Sequence, residues 1–213
     1  MKKDTFTVLL ADAHPIARVG MRQLLEQEGI KILAEVDSGE QACRQYESCQ
    51  PDVLLMDIHM PGIGGFETVR RIRTLDPEAK ILIFSQADSP ALFTQAISLG
   101  VNGYLTKRAA TSELVEAVCQ VAKHQHYYDQ ALGAWQCTQP EGGQPCALAS
   151  LTPREFEVFS LLAQGHTVNG VADILSISPK TAGVHHTRVM NKLDIRSSTQ
   201  LVRLAYQNGV ISL

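Results

Sequence analysis

Asp57 carries the densest chemistry in the chain. It ends the run VLLMD (53–57), and Pro61, Gly62, Gly64 and Gly65 follow within eight residues. An acid that closes a short apolar run sits at the carboxyl end of a strand buried on both faces, the edge where open α/β sheets gather ligands. Asp12 closes a second run, TVLLA (7–11), Ser85 follows ILIF (81–84), and Lys107 follows the run at 101–105. Taken singly, an acid at a strand end is an ordinary turn residue. Two carboxylates, a hydroxyl and an ammonium at matching strand ends make a site. The paired acids repel each other, and a hard divalent cation relieves this. Mg²⁺ suits, because it accepts one or two carboxylates and keeps several waters. Such a cation would screen Asp57 from an incoming phosphoryl group. Lys107 would neutralise one phosphoryl oxygen and Ser85 would hydrogen-bond another. The chemistry indicated is acceptance of phosphate on Asp57.

A second set lies near the end of the chain. Lys180, Gly183, Val184, Thr187 and Arg188 fall on one side of a helical stretch whose other side carries Ala182, His186, Val189 and Leu193. Major-groove entry needs small or hydrogen-bonding groups near the bases and cations near the phosphates. Val184 can touch a thymine methyl, and Thr187 can reach a base edge or a phosphate. Lys180 and Arg188 can contact phosphates. The first turn, with the amides of Lys180 and Thr181, also suits a phosphate. His185 and His186 read as packing and capping groups, since no Cys or acid stands at metal-ligand spacing.

The elements that must position these residues follow from periodicity. Residues 7–11, 53–56 and 81–84 read as buried strands, 30–36 as an edge strand and 101–105 as a fifth. Helical stretches lie between them at about 15–28, 38–48, 64–75, 90–99 and 111–124. Five strands alternating with five helices require a parallel, doubly wound sheet with right-handed crossovers. Residues 136–150 lose periodicity and carry Pro, Gly and Gln, as a linker does. Thr152-Pro153-Arg154-Glu155 is a capping box with Pro at the first helical position. A short helix over 168–175, a tight turn at Ser176-Ile177 and a third helix opened by Ser178-Pro179 form a helix-turn-helix pattern. Ser198 is placed to cap a fourth helix, ending at Gly209.

Composition bounds the reading. The chain has 213 residues, enough for one large domain or two small ones, and is 45% hydrophobic, which supports a packed core. No apolar run approaches the ~20 residues that span a bilayer. The opening MKKDTF leads into a strand-like run rather than a signal peptide. Five scattered Cys (43, 49, 119, 137, 146), with no CxxC pair, indicate reduced thiols in a cytosol. Nothing near Cys137 or Cys146 would lower a thiol pKa. The net charge of −3 is uneven: residues 1–150 are acidic and residues 151–213 mildly basic, which suits an anionic partner for the tail.

The motifs LLADAHPIARVG, LLMDIHMPGIGG and GYLTK, followed by the capped helix-turn-helix, resemble a bacterial two-component response regulator of the NarL/FixJ class, with a LuxR-type helix-turn-helix. MPGIGG, GYLTK-AA and LSISPKT are most similar to GacA/UvrY-type regulators. The resemblance covers 7–124 and 151–211. It implies a flavodoxin-like (CheY-like) receiver with a five-stranded parallel sheet at 1–125, a linker at 126–150, and a small all-α DNA-binding domain at 151–213. It further implies that Asp57 takes phosphate from a sensor histidine kinase, and that Asp12, Asp57 and the backbone carbonyl of His59 hold Mg²⁺. Ser85 and Tyr104 occupy the switch positions. Lys180, Thr181, Gly183, Val184, Thr187 and Arg188 face double-stranded DNA, bound by a homodimer in the cytoplasm. Self-transfer of phosphate would not make the chain an enzyme in its own right, and no membrane partner is implied.

Two positions depart from the family pattern. Ala13 stands where a second acid usually supplies a metal ligand, so Mg²⁺ should bind weakly. His14, before Pro15, matches the family's usual His and is not read as a replacement ligand. Gly183 stands where a polar side chain commonly makes contacts. Ala13 motivates the alternative of an atypical receiver whose DNA binding is independent of phosphorylation. A flavin or nucleotide enzyme on the same sheet is disfavoured, because Asp12-Ala13-His14-Pro15 offers negative charge and removes a donor where a phosphate cradle is needed.

Overall fold

The computed structural model describes residues 5–86, 89–129, 147–175, 177–208 and 210–211. The expected linker (in large part), Cys137, Cys146, Ser176 and Gly209 lie outside the described residues. The chain divides into two compact units, one of residues 1–86 and 100–129, the other of 87–99 and 130–213.

In the first unit, runs of Val, Leu and Ile form a parallel sheet because both faces of each strand can be covered. The strands are β1 (Thr7–Ala11), β2 (Lys31–Val36), β3 (Val53–Met56), β4 (Ile81–Ser85), β5 (Gly103–Thr106) and β6 (Tyr127–Tyr128). Their order is β2-β1-β3-β4-β5-β6, and every pairing is parallel. The sheet therefore has six strands where five were expected. The sixth is too short for periodicity to reveal. It is held by the amide of Tyr127 donating to the Asn102 carbonyl (3.1 Å) and that of Asp129 to the Tyr104 carbonyl (2.9 Å). Tyr127 and Tyr128 thus belong to the sheet edge, inside the stretch expected to be linker.

Helices α1 (Pro15–Gln27), α2 (Gly39–Cys49), α3 (Gly65–Leu75) and α5 (Thr111–Ala122) complete this unit, while α4 (Pro90–Ser98) groups with the second. Alternation along the strands sends Val8, Leu10, Val53, Leu55, Leu82 and Leu105 into one core with Met21 and Leu25 of α1 and with Leu114, Val118 and Val121 of α5. Each such buried aliphatic contributes roughly 1.5–3 kcal/mol from burial.

The second unit also contains a single 3-10 turn (Ala147–Ser150) and helices α6 (Pro153–Ala163), α7 (Val168–Ile174), α8 (Pro179–Lys192) and α9 (Ser198–Gln207). Its core joins Val158, Val171, Ala172, Leu175 and Ala182. Within this unit the Gln95 side-chain amide of α4 donates to the Leu151 carbonyl at 3.0 Å. The α6 capping box forms as expected: Thr152 Oγ1 accepts from the Glu155 amide (3.3 Å), and Glu155 accepts from the Thr152 amide (2.8 Å). The cap of α9 is Ser197 rather than Ser198, its hydroxyl accepting from the Gln200 amide at 3.3 Å. Two adjacent serines make that one-residue slip invisible to sequence reasoning.

Candidate functional site

Strand register brings the acids together. Ala11 of β1 pairs with Met56 of β3, so the next residues, Asp12 and Asp57, leave neighbouring strands side by side. The Asp57 amide still donates to the Ala11 carbonyl (2.8 Å), which continues the ladder to the acid itself. Both residues are buried, at 0% and 2% exposure. Lys107 arrives one step beyond β5, whose Thr106 pairs with Ser85, and the Lys107 amide donates to the Ser85 carbonyl at 2.7 Å. Its ammonium bridges the two acids, 2.5 Å from Asp12 Oδ2 and 2.6 Å from Asp57 Oδ2. Burial opposes the charge on Lys107, but hydrogen bonds to Asp12 and Asp57 outweigh it and hold the ammonium above its ordinary pKa.

The loop after β3 is shaped to present Asp57. The His59 amide donates to Asp57 Oδ1 (3.0 Å), and the His59 ring lies 3.4 Å from the Ser85 hydroxyl. Gly65 sits so close beneath the loop that a Cβ there would lie 2.4 Å from the Ile58 carbonyl oxygen and 2.6 Å from its Cα. Glu40, at the start of α2, accepts from the Ile63 amide (3.0 Å) and ties the far side of the loop down. Arg18 of α1 donates to the Asp12 carbonyl (2.5 Å). Glu40, Arg18 and the His59 ring were not singled out from sequence, since their contacts depend on loop conformation rather than on spacing. Ser85 and Tyr104 are both fully buried, at 0% exposure.

The donor types at this edge suit a divalent cation. Ligand atoms of Asp12, His14 and Asp57 lie within 4.8 Å of one another, and two of the three residues are buried carboxylates. Ala13 contributes no ligand atom.

In the second unit, Pro179 opens α8 and the Ser178 hydroxyl caps it, accepting from the Thr181 amide at 3.0 Å. This corrects one expectation: the Thr181 amide is not open to a phosphate, because the N-cap serine already takes it. Ala182 and Val189 are buried, while Lys180, Thr181, Val184, Thr187 and Arg188 are exposed and Gly183 is half-buried. The Thr187 hydroxyl donates back to the Gly183 carbonyl (2.9 Å), which leaves its oxygen free only as an acceptor. A Cβ at Gly183 would meet nothing within 4 Å. In the last turn of α8, Lys192 pairs with Glu155 of α6 at 2.6 Å. Burial opposes ionisation of Glu155, but hydrogen bonds from Lys192 and Thr152 prevail and hold its carboxyl below the ordinary range. Burial, with Arg154 and Arg188 nearby, holds His185 below the ordinary histidine value.

Among the described residues, no helix is long and apolar enough to cross a membrane.

Two family models match the chain. Residues 8–119 match the response regulator receiver domain family, and residues 149–205 match the bacterial regulatory proteins of the luxR family. The transcriptional activator protein ExaE of Pseudomonas putida is 37% identical over 211 residues, covering 97% of this chain and 98% of that protein. The response regulator UvrY of Escherichia coli is 34% identical over 207 residues, covering 95% and 94%. The fold is similar to that of RcsB from Salmonella enterica serovar Typhimurium bound to promoter rprA in the presence of phosphomimetic BeF3⁻. That match has a TM-score of 0.76 at 24% identity, covering 94% of this chain and 98% of that one.

Proposed function

The chain belongs to the two-component response regulators that join a receiver to a LuxR-type DNA-binding domain, and from that premise we propose that Asp57 is its phosphoacceptor. One observation carries the reading: a single lysine ammonium bridges two buried carboxylates that leave adjacent parallel strands. A phosphoryl group passes from a phosphohistidine of a sensor kinase to a carboxylate oxygen of Asp57. The N–P bond breaks as the O–P bond forms. Lys107 holds one phosphoryl oxygen and the Ser85 hydroxyl donates to another. Tyr104, buried beside that strand edge, changes packing with Ser85 and carries the change outward. Asp12, Asp57 and the His59 backbone carbonyl would hold Mg²⁺, which would supply positive charge to the phosphoryl oxygens. Ala13 makes that hold weak. The self-transfer serves signalling and does not define an enzyme.

Phosphorylation then controls a homodimer that grips double-stranded DNA through α8. Lys180 and Arg188 contact phosphates, Val184 and the Thr187 oxygen reach the groove floor, and the α8 N-terminus with Thr181 abuts the backbone. The exposed side of α9, which carries Tyr206, faces the second copy. The place of action is the cytoplasm, where the kinase and the DNA meet.

The test pairs acetyl phosphate with intact mass and DNA affinity. Wild type gains one phosphoryl group and binds DNA more tightly. Asp57→Ala gains none and shows no phosphate-dependent change. A variant that keeps the phosphate-dependent gain in affinity would refute the assignment. A wild type that takes no phosphoryl group, yet binds DNA fully, would establish the phosphorylation-independent alternative.

A further inference from the structure

The two pocket acids each present two oxygens, and the two edges differ. Both Oδ2 atoms are held by Lys107. The Oδ1 edge faces histidine. Asp12 Oδ1 accepts from the His14 amide at 2.8 Å and lies 3.1 Å from His14 Nδ1. Asp57 Oδ1 lies 3.9 Å from His59 Nδ1. The His14 ring is mostly exposed, at 59%, so it stands at the solvent mouth of a pocket whose acids are buried. Where a third acid would supply an oxygen, the Ala13 side chain supplies nothing, and among the described residues the side-chain ligand atom that groups with the two acids within 4.8 Å is this imidazole nitrogen.

We infer that His14 is a metal ligand. Its Nδ1 completes a set with Asp12 and Asp57 that favours a first-row transition dication over Mg²⁺, with Mn²⁺ as the paramagnetic probe. The inference rests on the receiver reading above and deepens it at the same site. It reverses the sequence-based view of His14, because proximity to Asp12 Oδ1 is a matter of loop geometry. Two ligand atoms in adjacent octahedral positions at ~2.1 Å from a metal lie about 3.0 Å apart, and the 3.1 Å between Nδ1 and Oδ1 matches that edge. Imidazole is a poor ligand for Mg²⁺, which prefers an all-oxygen octahedron, and a good one for first-row transition dications. Replacing an acid by a neutral imidazole also removes one negative charge, which penalises all dications alike. The nitrogen returns affinity only to those that bind it. With the metal present, the ring proton resides on Nε2, at the exposed side.

Binding is measured on the untagged full-length chain, by titrating Mn²⁺ and following the electron paramagnetic resonance of the free ion. Mg²⁺ affinity is obtained by competition. Echo modulation from a coordinated ¹⁴N reports a directly bound ring. The expected result is ¹⁴N modulation in wild type that disappears in His14→Ala. Mn²⁺ affinity should fall by about tenfold or more, with Mg²⁺ affinity unchanged within about twofold. Far-ultraviolet circular dichroism of the variant, altered only at an exposed ring, should match wild type. Absence of ¹⁴N modulation in wild type, or equal Mn²⁺ affinity in the two proteins, overturns the inference. So does a parallel loss of Mn²⁺ and Mg²⁺ affinity, which would make His14 a positioning residue for Asp12. Acetyl phosphate labelling in Mg²⁺ is run alongside. Labelling together with unchanged Mn²⁺ binding in His14→Ala removes this inference and leaves the receiver reading. Nitrogen coupling in a protein that takes no label does the reverse.

Discussion

Gly183 offers a substitution that should improve both the fold and the proposed DNA contact. It lies within α8, flanked by residues that remain helical for two turns on its C-terminal side, and it is not among the glycines with positive φ. Gly in such a position costs about 1 kcal/mol relative to Ala, through the freedom it loses on folding. A Cβ there has open space, with no atom within 4 Å, so nothing offsets the gain. Gly183→Ala should therefore stabilise the helical domain by about 1 kcal/mol, and for a unit of this size raise its midpoint by about 4–8 °C. Gly183→Lys keeps most of that gain and adds a cation on the face that carries Lys180, Val184, Thr187 and Arg188. One further phosphate contact steepens the dependence of log affinity on log salt by about 0.9 per bound subunit. The assays are thermal unfolding followed at 222 nm, and DNA binding by anisotropy across a salt series, with Gly183→Ala as the uncharged control. A lowered midpoint in Gly183→Ala would refute the open-space argument. A salt slope in Gly183→Lys equal to that of the Ala control would refute the placement of this face against phosphate.

Lys107→Met removes the ammonium that, among the described residues, pairs with both Asp12 and Asp57. It leaves two buried carboxylates uncompensated, a cost of about 3–5 kcal/mol in metal-free buffer by urea unfolding. Excess dication should recover part of that loss, and indifference to dication would count against a cation seat between the acids. Glu155 has its folded-state pKa below the ordinary 4.5, so its contribution is complete above that pH and is lost as pH falls through the depressed value. Lys192→Met should lower the urea midpoint at pH 7, with the deficit shrinking as the medium is acidified below about 4.5. A deficit that stays constant with pH would show that the Lys192–Glu155 pair is not its source.

The apolar runs make the first unit legible because parallel strands buried on both faces have few alternatives. Once β1 and β3 are neighbours, Asp12 and Asp57 must leave the sheet together. Lys107 follows by the same logic from β5. The capped starts of α6 and α8 are equally plain, since Thr152-Pro153 and Ser178-Pro179 state both the cap and the first helical φ. Other features depend on distances that no periodicity encodes. Tyr127 and Tyr128 form a strand through two backbone bonds at the sheet edge, a signal too short to separate from the loop around it. The expectation of an open Thr181 amide fails on a legible signal, since Ser178 reads as the N-cap, whose hydroxyl takes that amide at the third helical position. Glu40 reaches Ile63 across 23 positions, and His14 Nδ1 approaches Asp12 Oδ1 only because the chain turns sharply before Pro15.

Charge counting in the pocket leads to one more consequence of Ala13. Two carboxylates and one ammonium leave a single net negative charge, where a third acid would leave two. On the proposed reading, phosphorylation converts the Asp57 monoanion into an acyl phosphate dianion and so adds one more. That increment is the same whether or not position 13 is acidic. The ratio of dication affinities between phosphorylated and unphosphorylated protein should therefore be insensitive to residue 13, and by reciprocity so should the benefit a bound cation confers on phosphoryl retention. The absolute affinity should not be. Ala13→Asp supplies both a charge and a ligand, and should tighten Mg²⁺ binding by at least about tenfold, the loss that even outer-shell ligands can produce. It should move the Mg²⁺ concentration for half-maximal labelling by acetyl phosphate downward by the same factor. The variant and wild type are titrated with Mg²⁺ in both phosphorylation states. An affinity ratio that changes with residue 13, while the half-saturating concentration stays put, would mean that Ala13 acts on the phosphoryl group directly rather than through the cation.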